Sequence, residues 1–159
     1  MTTTTTTSHL FIIRGIAGAG KSTLASTLAP EGRDISTDDF FHEGFDRSKP
    51  YEFDLSKIFD GSAHGWAEAK VKELLTDGTG LPVVIANTFT CRWEMEYYIQ
   101  LCNELGIRFT VCDLYDGGCT DEELFERNAH GVPLQSIQAM RARYEHDWKN
   151  GNPENPYKK

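Results

Sequence analysis

Gly15-Ile-Ala-Gly-Ala-Gly-Lys21-Ser22-Thr23 follows directly on the apolar run Leu10–Arg14 (LFIIR) and leads into Leu24-Ala-Ser-Thr-Leu28. The stretch from Gly15 to Ser22 fits G-x-x-x-x-G-K-[ST] in full, and it stands between a buried strand and a helix, as that pattern requires. The residue types carry the chemistry. Glycines accept backbone angles that other residues resist, and they bring main-chain N–H groups close enough to ring a phosphate oxygen. The helix that opens at Ser22 adds its positive dipole end and its unpaired N–H groups. Lys21 then reaches the β- and γ-phosphates, and the Ser22 hydroxyl is the expected magnesium ligand. The segment therefore implies a P-loop that binds ATP with Mg2+ through Gly15, Ala17, Gly18, Ala19, Gly20, Lys21, Ser22 and Thr23. No N-K-x-D guanine-reading segment occurs, and 159 residues leave little room for the machinery of a motor ATPase. A kinase is the economical remaining reading.

Outward from the loop, strand and helix signals alternate, which predicts a P-loop NTPase fold: an α/β domain with a mostly parallel sheet of four to five strands and helices on both faces. Strands are expected at 10–14, 33–37, 81–86 (LPVVIA) and 107–114. Helices are expected at 22–28, at 55–75 with its middle weakened by Gly61 and Gly65, at 95–105 before Gly106, from the Thr120/Glu123 capping box through Arg127, and from Pro133 to Trp148. Residues 38–51 are polar and aromatic, with Gly44 and Pro50, and suit a loop or short helix over a site. The domain is expected over residues 10–148. Residues 1–9, dominated by threonine, read as a disordered tail and 149–159 as a flexible one.

Composition narrows the partners. Apolar residues make up 39% and charged residues 25%, ordinary values for a globular chain, and no apolar run approaches a membrane span. The four cysteines, Cys91, Cys102, Cys112 and Cys119, form no CxxC pair, so reduced thiols and a cytoplasmic setting are expected. With five histidines they show no zinc spacing. A net charge of −8 argues against broad, sequence-blind adhesion to a phosphate backbone, though a short basic groove is compatible with it. The oligomeric state is left open.

Ser36-Thr37-Asp38-Asp39-Phe40-Phe41 lies where the second strand ends, on the carboxyl edge of the sheet where ligands gather in open α/β folds. A carboxylate there can take the proton of an acceptor hydroxyl as it attacks the γ-phosphate. Adjacent aspartates can equally cap the next helix or stay solvated, and Phe40 and Phe41 suit either a core or a base-stacking platform.

Taken with GIAGAGKST, this STDDFF segment, Ala63-His64-Gly65-Trp66, VVIANT at 83–88 and ERNAHGVP at 126–133 give the chain a recognisable order of motifs. Over residues 10–146 it resembles the P-loop kinases grouped with the 5′-hydroxyl kinase domain of phage polynucleotide kinases. Single-domain STDDFF relatives and phage kinases acting on hydroxymethylpyrimidines in DNA belong to the same group. The resemblance implies a small helical lid and gives roles to particular residues. Asp38 is then the general base, Asp39 its support, Arg127 a lid cation on the ATP phosphates, and Asn87 and Thr88 a strand end facing the active site. The acceptor is then a nucleic acid or nucleotide, DNA first. Where the 5′-kinases carry an arginine that grips the acceptor strand, this chain has Phe41, which shifts the expectation away from a plain 5′ end. Arg47 and Lys49 are the nearby cations available to replace it. Asn87 stands where an acidic residue is usual, and Asp113 fits the magnesium-helper pattern only loosely.

Further residues are weighed individually. Arg92 is a candidate acceptor contact just after the strand end. His64 and Trp66 are expected on a core-directed helical face, with His64 packed and hydrogen-bonded. His130 is expected either near phosphate or exposed, and Arg141 and Arg143 at the surface. A kinase acting on a metabolite and an ATP-gated binding module without catalysis are the competing functional readings.

Overall fold

The computed structural model describes residues 8–146. Its strands are β1 (His9–Gly15), β2 (Asp34–Ile35), β3 (Val83–Asn87) and β4 (Arg108–Tyr115). They form one four-stranded sheet in the order β2-β3-β1-β4, every pairing parallel. Helices α1 (Lys21–Leu28), α2 (Leu55–Phe59), α3 (Ser62–Leu75), α4 (Glu96–Leu105), α5 (Asp121–Arg127) and α6 (Leu134–Arg143) connect and cover it. The expected α/β P-loop architecture is present.

Strand periodicity decides which side chain meets which helix. Leu10 and Ile12 of β1, with Val83 and Ile85 of β3, point to one face and pack against Ala67, Val71 and Leu75 of α3 and Tyr98, Leu101 and Cys102 of α4. Phe11 and Ile13, with Val84 and Ala86, point to the other face, against Leu24, Ala25 and Leu28 of α1. Both faces are covered, which is why these strands read as unbroken apolar runs. Ile12 and Ile85 have no exposure, and each such burial stabilises the fold by roughly 1.5–3 kcal/mol. A third cluster joins Ile16 and Ala19 of the phosphate loop to Leu124 of α5 and Ile137 of α6.

Several boundaries differ from the sequence expectation, the strand expected at 33–37 being only Asp34–Ile35. Ser8 and His9, expected in the tail, belong to the fold: His9 pairs with Arg108, its ring bonds Thr110 Oγ1 at 2.8 Å, and Ser8 is buried. The single helix expected over 55–75 is two helices, because Gly61 takes φ 79° at the start of α3 and turns the chain. Gly65, by contrast, is accommodated inside α3. The last helix, expected to run to Trp148, ends at Arg143, where Tyr144 turns extended with φ −63° and ψ 123°; the expected tails at 1–7 and 149–159 lie outside the described residues.

The carboxyl ends of β1, β3 and β4 converge. Phe89 and Tyr115 hold φ of 42° and 51° just where β3 and β4 finish, unusual angles for non-glycine residues. Tyr115 O accepts from Ile16 N at 2.8 Å and Thr88 O from Gly15 N at 3.1 Å, so both strand ends hold the opening of the phosphate loop.

Candidate functional site

The loop from Gly15 to Lys21 is shaped by what presses on it. A Cβ on Gly18 would stand 2.4 Å from Leu124 O of α5, and one on Gly117 would stand 2.6 Å from Ala19 O. Glycine is required at both contacts, where backbone meets backbone. Gly20 caps α1 with φ 101° and no side-chain hydrogen bond, so the first-turn N–H groups of Lys21, Ser22 and Thr23 meet no capping side chain. The Lys21 ammonium donates to Gly15 O at 2.8 Å and Ile16 O at 3.1 Å. Burial pushes its pKa down to about 8, against a smaller upward pull from the Asp38 carboxylate.

That carboxylate belongs to the 3-10 turn Thr37–Phe41, which begins where β2 ends. The two aspartates have different surroundings. Asp39 is buried and takes part in a capping box with Ser36. Ser36 N and Arg47 Nη2 donate to its Oδ2 at 3.0 and 2.8 Å, and Arg47 Nε donates to its Oδ1 at 2.5 Å. Arg47 also donates to Asp34 Oδ2 at 2.8 Å. Asp39 therefore fastens the turn, and Arg47, expected as a spare cation for an acceptor, is committed to fastening it too. Asp38 is only half-buried. Tyr51 donates its hydroxyl to Asp38 Oδ1 at 3.2 Å, and His130 Nδ1 stands 3.4 Å from Oδ2.

Asn87 links the turn to the sheet. Its Oδ1 accepts from Thr37 N at 2.9 Å and its Nδ2 donates to Thr37 Oγ1 at 2.8 Å. This pairing fixes the end of β3 to the turn that carries Asp38. A carboxylate could accept but not donate here, so the pairing needs the amide.

The segment after α5 completes the enclosure. Arg127 donates to Cys119 Sγ at 3.0 Å, and its Nη2 lies 3.7 Å from where a Cβ on Gly20 would be, so the guanidinium stands over the phosphate loop. Asn128 closes the turn that follows, donating to Phe125 O at 2.7 Å and accepting from Val132 N at 2.8 Å. Arg141 of α6 donates to Asp121, Asp116 and Cys119 O at 2.7, 2.8 and 3.0 Å, tying α6 to α5 and to the turn before it. The surface role expected for Arg141 is thus corrected: it is a partly buried clamp.

With this geometry in view, comparison with known proteins decides the family. The profile of the AAA domain family AAA_33 matches residues 10–146. This chain belongs to that family. The human NEDD4-binding protein 2 is 34% identical over 141 residues, covering 86% of this chain and 8% of the human protein. A chain in the structure of a Pnkp1/Rnl/Hen1 complex superposes with a TM-score of 0.55 at 22% identity, over 80% of this chain and 41% of that chain. A gluconokinase from Sinorhizobium meliloti 1021 superposes at 0.50 and 19% identity, over 89% and 77% of the two chains. The chain thus spans a small part of the human relative and under half of the complex's chain. The structural likenesses establish the P-loop fold, and the narrower polynucleotide-kinase-like grouping belongs with the functional reading.

Several expected residues of this AAA domain sit elsewhere. Asp113 is engaged by the strand end and by Tyr144. Its Oδ1 accepts from Tyr144 OH at 2.6 Å and Tyr115 N at 3.0 Å, and its Oδ2 faces the fully buried Arg14 at 3.6 Å. Arg14 in turn donates to Phe89 O and Thr90 O and lies over the Tyr144 ring, 4.4 Å from its centroid. Phe41 is buried against Phe53 and Tyr51, so it is core rather than a contact surface. Thr88 is half-buried and meets the loop through its carbonyl. Arg92 is exposed, and its backbone N–H donates to Glu145 Oε1 at 2.7 Å. Arg143 donates to Thr90 Oγ1 at 3.0 Å. His64 is exposed, not packed as expected, while Trp66 is half-buried and stacks on Phe45 at 5.0 Å. Tyr51 and Asn128 were not singled out by the sequence. Nothing local marks Tyr51, whose position follows from an antiparallel bridge to His42. Asn128 sits inside the ERNAHGVP motif, which was the available signal.

Proposed function

We propose that the domain is an ATP-dependent kinase that transfers the γ-phosphate to a hydroxyl on a nucleic acid or nucleotide. The observation that carries this reading is the placement of a phosphate-loop ammonium, Lys21, within the field of a half-exposed carboxylate, Asp38, from the turn at the next strand end. In the proposed reaction Asp38 accepts the acceptor hydroxyl's proton as its oxygen bonds to the γ-phosphorus. The bond from that phosphorus to the β–γ bridging oxygen breaks, and ADP leaves. Lys21 and Arg127 bear on the charge that develops on the transferred group. Magnesium, when bound, neutralises phosphate charge, and the oxygen donor of Ser22 in the first turn of α1 suits that hard ion.

An aromatic surface next to Asp38 favours a base-bearing acceptor. From Tyr51 a continuous series of ring contacts runs over the buried Phe41 to Phe40, Phe45 and Trp66, and of these Phe45 is half-exposed and open to a base. Such rings are sequence-tolerant stacking platforms for nucleobases. Two acceptors fit: a polynucleotide 5′-hydroxyl and a hydroxymethyl group on a base in DNA. Phe41, buried where the related 5′-kinases carry a gripping arginine, and the engagement of Arg47 favour the second. γ-Labelled ATP is offered with a dephosphorylated oligonucleotide, hydroxymethylcytosine-bearing DNA, free nucleosides and gluconate. Label in either polymer supports the reading. Label only in gluconate or nucleosides favours a metabolite kinase, and no transfer to any acceptor overturns the kinase assignment.

A further inference from the structure

The turn after α5 touches both halves of the site. Arg127 stands over the phosphate loop at Gly20, and His130 reaches the carboxylate of Asp38. Asn128 fixes the conformation that lets one short turn do both. His130 is further held by its ring neighbours, 4.6 Å from Tyr51 and 6.2 Å from His42. Tyr51 approaches Asp38 from the opposite oxygen. Both carboxylate oxygens thus have an oriented neighbour, and each oxygen retains a second lone pair for an acceptor hydroxyl.

We propose that Tyr51 and His130 are positioning residues that clamp Asp38 in its reactive orientation, His130 linking the carboxylate to the same turn that brings Arg127 to the nucleotide. The proposal rests on the reading of Asp38 as general base. Without the clamp a half-exposed carboxylate turns freely about its side-chain bonds, and each wrong rotamer leaves the acceptor hydroxyl without its base. With it, the turn that meets the triphosphate also sets the base, so nucleotide contact and base orientation depend on one element. Tyr51 suits the role because burial, then the Asp38 charge, raise its pKa well above the usual phenol value and keep it a donor. The Lys21 ammonium, whose pKa the Asp38 charge pulls upward, belongs to the nucleotide side.

Tyr51→Phe, His130→Ala and His130→Asn are compared with wild type, each also in an Asp38→Asn background. The readout is steady-state transfer to whichever polymer acceptor the wild type labels, or phosphate release to water where it labels neither, with Mg-ATP affinity measured separately. Tyr51→Phe and His130→Ala should each lower kcat by about 10- to 100-fold with ATP affinity within about twofold of wild type. His130→Asn, whose amide occupies the place of the imidazole Nδ1, should recover most of the loss. In the Asp38→Asn background the same substitutions should have no further effect. Full kcat in Tyr51→Phe and His130→Ala, alongside an inactive Asp38→Asn, overturns the clamp and leaves the base intact. Further losses in the Asp38→Asn background also overturn it, since the residues would then act elsewhere. An active Asp38→Asn enzyme, or a wild type without turnover, removes the underlying reading and the clamp with it.

Discussion

Replacing Gly18 by alanine is expected to disrupt the phosphate loop while leaving the sheet in place. At φ +87° the added Cβ would lie 2.4 Å from Leu124 O and 3.1 Å from the same residue's Cα. Leu124 is fully buried among Ile16, Ala19 and Ile137, so α5 can retreat only by opening that cluster. The left-handed angle alone costs an alanine about 1–2 kcal/mol. Overpacking against backbone adds about 1–3 kcal/mol. The sum, roughly 2–5 kcal/mol, is large against typical domain stabilities of about 5–15 kcal/mol. Gly65 supplies the control of opposite sign. It lies within α3 with nothing within 4 Å of its would-be Cβ, so alanine there should stabilise by about 0.5–1 kcal/mol. At about 2–4 °C per kcal/mol for a chain of this size, the melting point should fall by at least about 4 °C in Gly18→Ala and rise by about 1–4 °C in Gly65→Ala. Urea and thermal melts with an ATP titration read both effects. Gly18→Ala should bind ATP more weakly and Gly65→Ala as tightly as wild type. Wild-type stability together with wild-type ATP affinity in Gly18→Ala would refute the contact argument.

Other outcomes follow from single contacts. Lys21, depressed from 10.5 to about 8, binds fewer protons folded than unfolded between those values, so its contribution to stability rises with pH across that window. A bound triphosphate reverses this by favouring the ammonium. Calorimetry at pH 9 in buffers of different ionisation enthalpy should show proton uptake on ATP binding, and a buffer-independent enthalpy would contradict it. Arg141→Ala strips partners from Asp116, Asp121 and Cys119 O and should cost about 1–3 kcal/mol in urea unfolding; an unchanged midpoint would mean that the clamp carries no stability. Affinity for a polymer acceptor should fall steeply with added salt, and a flat response would point to a small acceptor.

The sheet and the phosphate loop were legible because their signals are local: apolar runs of strand length, then a motif fixed in sequence. The Thr120/Glu123 capping box was legible for the same reason, and it forms as expected. What escaped were partnerships over long separations. Asp38 and Asp39 look alike in sequence, and only the return of Arg47 onto Asp39 and of Tyr51 onto Asp38 separates a fastening acid from an available one. Asn87 looked like a weakened metal helper until its amide met both polar groups of Thr37. Asp113 faces a buried arginine one strand away, in register with Arg14, a pairing that no spacing reveals. The break at Gly61 was visible as a weakness, but its left-handed angle depends on how α2 docks against α3.

The most direct test pairs equilibrium ATP–Mg2+ affinity with γ-phosphate transfer in wild type and Asp38→Asn, an isosteric change on the half-exposed acid. Affinity should stay within about twofold while transfer falls by about 10²–10⁴-fold. Transfer at the wild-type rate would contradict the account, and so would a loss of nucleotide binding equal to the loss of rate.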